Sequence, residues 1–346
     1  MGLGVFQLSF WVMLALYIGV GTALALIARR FGVGSSSEYF AAGHRLGGLL
    51  SAMTYAATTY SAFMMIGLVG FAYATGVGSL GFELSYLLVT LLVLALFAKK
   101  VWSMGRSKDW VSASEMLSDL YGSRALGIYV AALYFVALIP YISAQFIGIG
   151  KIFEGLGLTY GGGVVFASIL VLGWVVVAGM WSKATTDVFQ GGWMIAAALA
   201  FLVWLLWGFM PAHDITLAEV SKALTDAGLT SVGKGFWTLP TLLAFTIPWW
   251  FFAVTNPQVV RKLFMPADER SLKSLIKYFG VYGLIYTLIV VFIGMVARGL
   301  TLEGVFPYIQ DRDLVTPYLL LKAGPVLSSF IYVSIIAAAV TTANSI

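Results

Sequence analysis

The amino-acid sequence predicts an all-α polytopic membrane protein, and three observations carry that prediction. Of the 346 residues, 60% are hydrophobic and only 10% are charged, whereas a soluble domain is about 25% charged. At a mean hydropathy of +0.94 there is too little polar surface to cover a water-soluble globule. The apolar residues also gather into nine separate runs. Each is near the roughly 20 residues that a helix needs to cross about 30 Å of hydrocarbon. None shows the alternation of barrel strands, so the runs read as helices. The absence of cysteine excludes a disulfide scaffold and thiol chemistry. The 24 Phe, 17 Tyr and 11 Trp exclude a disordered chain.

The first run, 5–28, has no basic segment before it, and Arg29-Arg30 follow it in place of a small-residue cleavage site. It is a spanning helix and not a signal peptide. The second, 46–73, carries five hydroxyls (Ser51, Thr54, Thr58, Thr59, Ser61) among four alanines, then Gly67 and Gly70. Small side chains there leave backbone carbonyls approachable. The third, 78–98, holds Glu83 a turn from its start, as an interfacial carboxylate or a solute-facing group. The fourth, 125–150, holds Gln145, for an interhelical hydrogen bond or a ligand role. The fifth and sixth, 159–181 and 185–210, are separated by a short loop at Lys183, and Asp187 opens the sixth. The seventh, 236–256, carries Pro240 and Pro248, with Asn256, Pro257 and Gln258 at its end. Each proline removes an amide donor and frees a carbonyl one turn back. The eighth, 278–297, is uninterrupted, and the ninth, 319–346, ends with Thr341, Thr342, Asn344 and Ser345 still inside it. That ending reads as a truncated sequence. Between the runs, Ser112 with Glu115 signals a capping box, and Leu217, Val220, Leu224 and Leu229 are spaced for a short interfacial helix.

Orientation follows from the basic residues. Loops after odd-numbered runs hold 14 Lys and Arg, Lys183, Arg261 and Lys262 among them, against 6 after even-numbered runs. The split places the odd loops in the cytoplasm and the N-terminus outside the plasma membrane. The net charge of +5 is therefore a topology signal and implies no nucleic-acid partner.

Free carbonyls at membrane depth are tolerated only against protein or a wet cavity. Broken helices in corresponding parts of two halves point to a transporter's substrate site. The alternative is that the hydroxyls tie helices together and the prolines merely kink them. Asp187 is likewise either part of such a path or a helix N-terminal charge facing water. His44 and His213 stand far apart without a carboxylate cluster, and no phosphate loop, nucleophile elbow or metalloprotease helix is present. The sequence implies no enzyme and no cofactor.

Four blocks resemble the sodium:solute symporters, the family of the proline, pantothenate, monocarboxylate and sodium/sugar carriers. Ser37-Glu38-Tyr39-Phe40-Ala41-Ala42-Gly43-His44-Arg45-Leu46-Gly47 is similar to the block that leads into the family's first core helix, with His44 where arginine is usual. Thr58 through Gly76 is similar to the stretch that follows. Asp187-Val188-Phe189-Gln190 resembles the Thr-Asp-x-x-Gln block, and Asn256 through Lys262 the Asn-x-Gln-x-x-x-Arg block.

The resemblance implies a LeuT-like fold of inverted five-helix repeats. A leading helix at 5–28 precedes a first repeat at 46–210 and an incomplete second repeat at 236–346. It implies sodium as coupling ion, held by the carbonyls of Ala57, Tyr60 and Ala338 and the hydroxyls of Thr341 and Thr342. Asp187 would lie on the sodium exit route. The function implied is sodium-driven symport of a small organic solute (a carboxylate, amino acid, vitamin or sugar) across the lipid bilayer. Candidate solute contacts are Thr59, Ser61, Glu83, Gln145, Asn256 and Gln258. Many members carry an acid where Thr59 stands, which bears on ion affinity or stoichiometry. Two other readings stay open: the membrane input of a signalling protein, as in some relatives fused to histidine kinases, and a proton-coupled carrier.

Overall fold

The computed structural model describes residues 3–31, 34–233 and 235–346. Its architecture is all-α. Helix α1 (Leu3–Ala28) leads; short α2 (Ser36–Ala41), capped by Ser35, follows. Helix α3 (Gly48–Thr59) breaks at Tyr60, passes through a wide turn at Met64–Leu68 and continues as α4 (Val69–Thr75), the two arms meeting at 57°. Helix α5 (Gly78–Lys108) runs well past its apolar stretch, α6 (Ala113–Leu120) is capped by Ser112, and α7 is Arg124–Gly155. The long α8 (Tyr160–Trp204) precedes α9 (Leu217–Asp226), whose Thr216 and Glu219 form a capping box. The proline-rich segment splits into α10 (Leu239–Trp250), α11 (Phe252–Thr255) and α12 (Pro257–Leu263). Then come α13 (Glu269–Leu302), α14 (Val315–Leu320) and α15 (Pro325–Ala343).

Six of the described helices are long and apolar enough to cross a membrane, and the bent α3–α4 pair makes a seventh. Tyr160–Trp174 and Leu239–Thr255 are shorter apolar helices. Each of the nine runs falls on one of these. In the main core cluster α3 packs on α13 and α8, α15 on α8 and α1, and α7 on α8.

The fifth and sixth runs depart from expectation. No loop parts them: α8 has 45 residues, about twice what a bilayer requires. The division falls at Gly179, whose φ of 52° and ψ of −175° interrupt the helix. A positive φ suits glycine, and the Tyr39 ring lies where a Cβ would project, 3.1 Å away. The interruption comes before Lys183, so this residue and Asp187 both sit inside the second arm and not in a loop. Lys183 is buried, as is Lys262 on α12. Neither is a solvated loop cation, which corrects the count used for orientation to twelve against six.

Candidate functional site

The break in α3 falls among its small and hydroxylated residues. The amide of Tyr60 still donates to Ala56 O at 2.8 Å, and the backbone bonds resume with Met64 N to Ser61 O at 3.1 Å. Between them the carbonyls of Ala57 and Tyr60 accept no amide among the described residues. Tyr60 adopts extended backbone (φ −91°, ψ 101°) and turns its ring into a cage of Phe279, Tyr282 and Tyr286 from α13. Its hydroxyl rests on Gly283, where a Cβ would stand 2.1 Å away.

Helix α15 faces this break. Thr58 Oγ1 and Ser345 Oγ are 2.7 Å apart, fastening the end of α15 to α3. Thr341 and Thr342 are fully buried, as is Ala338 within the helix. Adjacent helical positions are about 100° apart, and the two hydroxyls have different surroundings. Thr341 Oγ1 donates to Asp187 Oδ1 at 2.5 Å. Thr342 Oγ1 is buried with no partner. Neither hydroxyl bonds back to a carbonyl one turn earlier, the ordinary outcome for threonine inside a helix.

Asp187 is fully buried, which removes the water-facing reading of it. Thr54 Oγ1 donates to its Oδ2 at 2.5 Å, and Lys183 Nζ, one turn earlier in α8, reaches the same oxygen at 2.5 Å. Lys262 Nζ extends the network from α12, 3.0 Å from Thr54 Oγ1 and 3.3 Å from Met180 Sδ. One carboxylate thus joins α3, α8 and α15, with α12 behind.

The solute candidates do not gather around one another to the same degree. Glu83 is 5% exposed and has no hydrogen-bond or ion-pair partner among the described residues. It lies within electrostatic reach of Tyr60 and Tyr86, which brings it toward the break. Thr59 Oγ1 bonds back to Tyr55 O at 2.8 Å, and Ser61 Oγ accepts from Phe63 N at 3.2 Å, so both hydroxyls serve their own segment. Gln145 Nε2 donates within its own helix to Tyr141 O at 3.4 Å, leaving Oε1 buried and unpartnered; of the two readings open for it, the interhelical bond is absent among the described residues. Asn256 Oδ1 and both polar atoms of Gln258 are likewise buried without partners, at the gap between α11 and α12.

Sequence reasoning missed Lys183 and Thr54 as partners of Asp187, and Lys262 as a partner of Thr54. A signal existed for the first. Lys183 and Asp187 are opposite charges four apart, a spacing that pairs side chains on a helix.

Unpaired carbonyls at a broken helix, hydroxyls on the facing helix and an apolar exterior define a multi-pass membrane protein of all-α fold. The chain belongs to the sodium:solute symporter family, whose pattern it matches over residues 39–346. The sodium/pantothenate symporter of Escherichia coli (strain K12) is 30% identical over 169 residues, 48% of this chain and 35% of that protein. The sodium/proline symporter of Staphylococcus aureus (strain bovine RF122 / ET3-1) is 23% identical over 349 residues, 97% of this chain and 65% of that protein. Among solved structures, a substrate-bound outward-open Na+-coupled sialic acid symporter, described as revealing a novel Na+-site, superposes with a TM-score of 0.82. It shares 16% identity over 99% of this chain and 72% of that one. The fold is LeuT-like. These relatives are transporters and not enzymes, and the chain spans about a third to two thirds of the curated relatives' length.

Proposed function

We propose that this chain forms the core of a sodium-coupled symporter that moves a small organic solute across the plasma membrane by alternating access. The observation that carries the reading is the pairing of the α3 break with Thr342. Two carbonyls without amide partners, those of Ala57 and Tyr60, lie on one helix, and a buried unpartnered hydroxyl lies on the helix that faces it. Buried polar groups are ordinarily satisfied, and an all-oxygen set suits a hard cation. Sodium is held by Ala57, Tyr60, Ala338, Thr341 and Thr342, and Asp187 lies on its inner route. Residues 46–210 form the first repeat and 236–346 belong to the second, behind a leading helix whose N-terminus is outside.

Solute binds on the other side of the break. Gln145, Asn256 and Gln258 supply buried polar atoms without partners and Glu83 a buried carboxylate as candidate contacts, while Thr59 and Ser61 shape the backbone. The energetics are adequate. One charge crossing 100 mV supplies about 2.3 kcal/mol and a tenfold sodium gradient about 1.4 kcal/mol. Together they support roughly several-hundredfold accumulation of a neutral solute.

The test is a panel of labelled carboxylates, amino acids, vitamins and sugars offered to proteoliposomes of the complete gene product, with and without an inward sodium gradient. Uptake of at least one solute that depends on the gradient is expected. Uptake indifferent to sodium for every transported solute would refute the reading.

A further inference from the structure

Asp187 presents two oxygens to the junction of three helices, and hydroxyls from α3 and α15 complete an oxygen-rich setting of the kind a small cation needs. The cation standing in that setting belongs to the chain. Lys183 Nζ is 2.5 Å from Asp187 Oδ2, with the two side chains 7% and 1% exposed. A carboxylate this deeply buried is retained only when paired, because leaving one partner of a buried ion pair alone is strongly destabilising. A second ammonium, Lys262, waits one hydroxyl further back, 3.0 Å from Thr54 Oγ1.

We infer that Lys183 is a tethered counter-ion: its ammonium takes the position at Asp187 that a departing sodium ion vacates, so that the two cations exclude one another there. The inference rests on the reading that sodium binds at Thr341 and Thr342 and leaves past Asp187. Thr341 belongs to both sites, since its hydroxyl is a sodium ligand in that reading and a donor to Asp187 in the structure. A sodium ion at Thr341 is therefore one oxygen away from the Lys183–Asp187 pair. Pairing of Lys183 with Asp187 does two things. It withdraws the carboxylate from sodium, weakening sodium's hold at the inner side. It also neutralises Asp187 once sodium has gone, so that the empty carrier returns without an unpaired buried charge.

Removing the ammonium exposes the carboxylate to sodium. At the low effective dielectric of a buried site, one unit charge at this range alters ion affinity by roughly tenfold or more. The experiment measures equilibrium binding of sodium alone to the purified complete gene product, as wild type, Lys183→Arg, Lys183→Met and Lys183→Met/Lys262→Met. The double variant is included because Lys262 is near enough to take Lys183's place. The proposal expects sodium to bind at least tenfold more tightly in one or both Met variants and near-normally in Lys183→Arg. It also expects the thermal stability of the Met variants to rise with sodium chloride, but not choline chloride, more steeply than that of wild type, because sodium now fills the pair. In proteoliposomes, net uptake should fall while solute exchange, which never requires the empty carrier to return, is preserved.

An unchanged sodium dissociation constant in both Met variants, with wild-type binding that is weakened by Thr342→Ala, overturns the tether and leaves the sodium site standing. Absence of sodium binding in wild type and every variant overturns both. Met variants that fold in neither salt mark Lys183 as a purely structural partner, which also overturns it.

Discussion

Thr341 Oγ1 donates to Asp187 Oδ1 across 2.5 Å, tying the last long helix of the chain to the arm of α8 beyond Gly179. The two residues lie 154 positions apart in sequence. Thr54 supplies the second oxygen contact from α3, so a single carboxylate registers the three helices that surround the break. Any motion of α15 relative to α3 and α8 would have to remake these bonds.

Asp187→Asn is expected to cut sodium-driven uptake by at least tenfold while leaving membrane insertion intact. It also strands the Lys183 ammonium in a buried setting, and breaking a buried pair in this way costs about 3–5 kcal/mol. Asp187→Asn/Lys183→Met removes both charges and should recover most of the lost thermal stability without recovering transport. Uptake and thermal denaturation of the two variants, measured side by side, separate the roles. Near-normal uptake in Asp187→Asn would take Asp187 out of the ion path.

Gly283→Ala is expected to destabilise the protein by about 1–3 kcal/mol, the usual cost of overpacking. The new Cβ would meet Tyr60 Oη at 2.1 Å, with Tyr60 Cζ and Leu87 Cδ1 next at 3.0 Å. Deleting the hydroxyl in Tyr60→Phe relieves the shortest of these contacts. A double-mutant cycle in detergent should therefore show a coupling of about 1 kcal/mol or more between the two positions. Additive effects would mean that Tyr60 does not rest on Gly283.

Asp109 closes α5 beyond the membrane, with its backbone in the left-handed region at φ 55°. A hydrogen bond from Ser37, then one from His44, hold its carboxyl below the usual carboxylate range. A depressed folded value contributes stability that is present above the unfolded pKa of about 3.9 and is lost as pH falls through the folded one. Asn tolerates the same backbone, so Asp109→Asn removes the charge alone. The variant should be slightly less stable than wild type at neutral pH, and the gap should close as pH drops below the carboxylate range. Melting curves across that range check the sign.

Much of this was legible in the residues because a bilayer imposes one requirement on every spanning segment. Nine apolar runs of the right length located the helices, and the hydroxyl cluster at 51–61 located the break. What escaped was the interior of α8. An interruption at Gly179 looks, in sequence, like ordinary helix, whereas Ser182-Lys183 looks like a loop. The chain does the opposite, because Tyr39 packs against the glycine while the carboxylate four residues on satisfies the lysine. Burial of Lys262 was equally hidden, since its partners Thr54 and Met180 are 208 and 82 positions away.

The proposed sodium site makes the sharpest demand on Thr341 and Thr342, which are equivalent in sequence and different in structure. Thr342 Oγ1 has no partner, so Thr342→Ala removes an oxygen that no protein group is using. A hydrogen bond or ligand to a charged group is worth about 1.5–3 kcal/mol, so the half-saturating sodium concentration should rise roughly 10- to 150-fold. Folded stability without sodium should barely change, because no protein bond is lost. Thr341→Ala removes a proposed sodium ligand and also the bond to Asp187 Oδ1. It should therefore weaken sodium by a similar factor and lower stability as well, by about 1–3 kcal/mol for an acceptor left short of a donor. Thr→Ser keeps the oxygen at either position and should be mild in both respects. Sodium titrations of solute uptake, paired with melting curves in choline chloride for the four variants, read both quantities. Thr342→Ala with an unchanged sodium requirement would remove the site, whatever Thr341→Ala does, because Thr342 has no other bond through which to act.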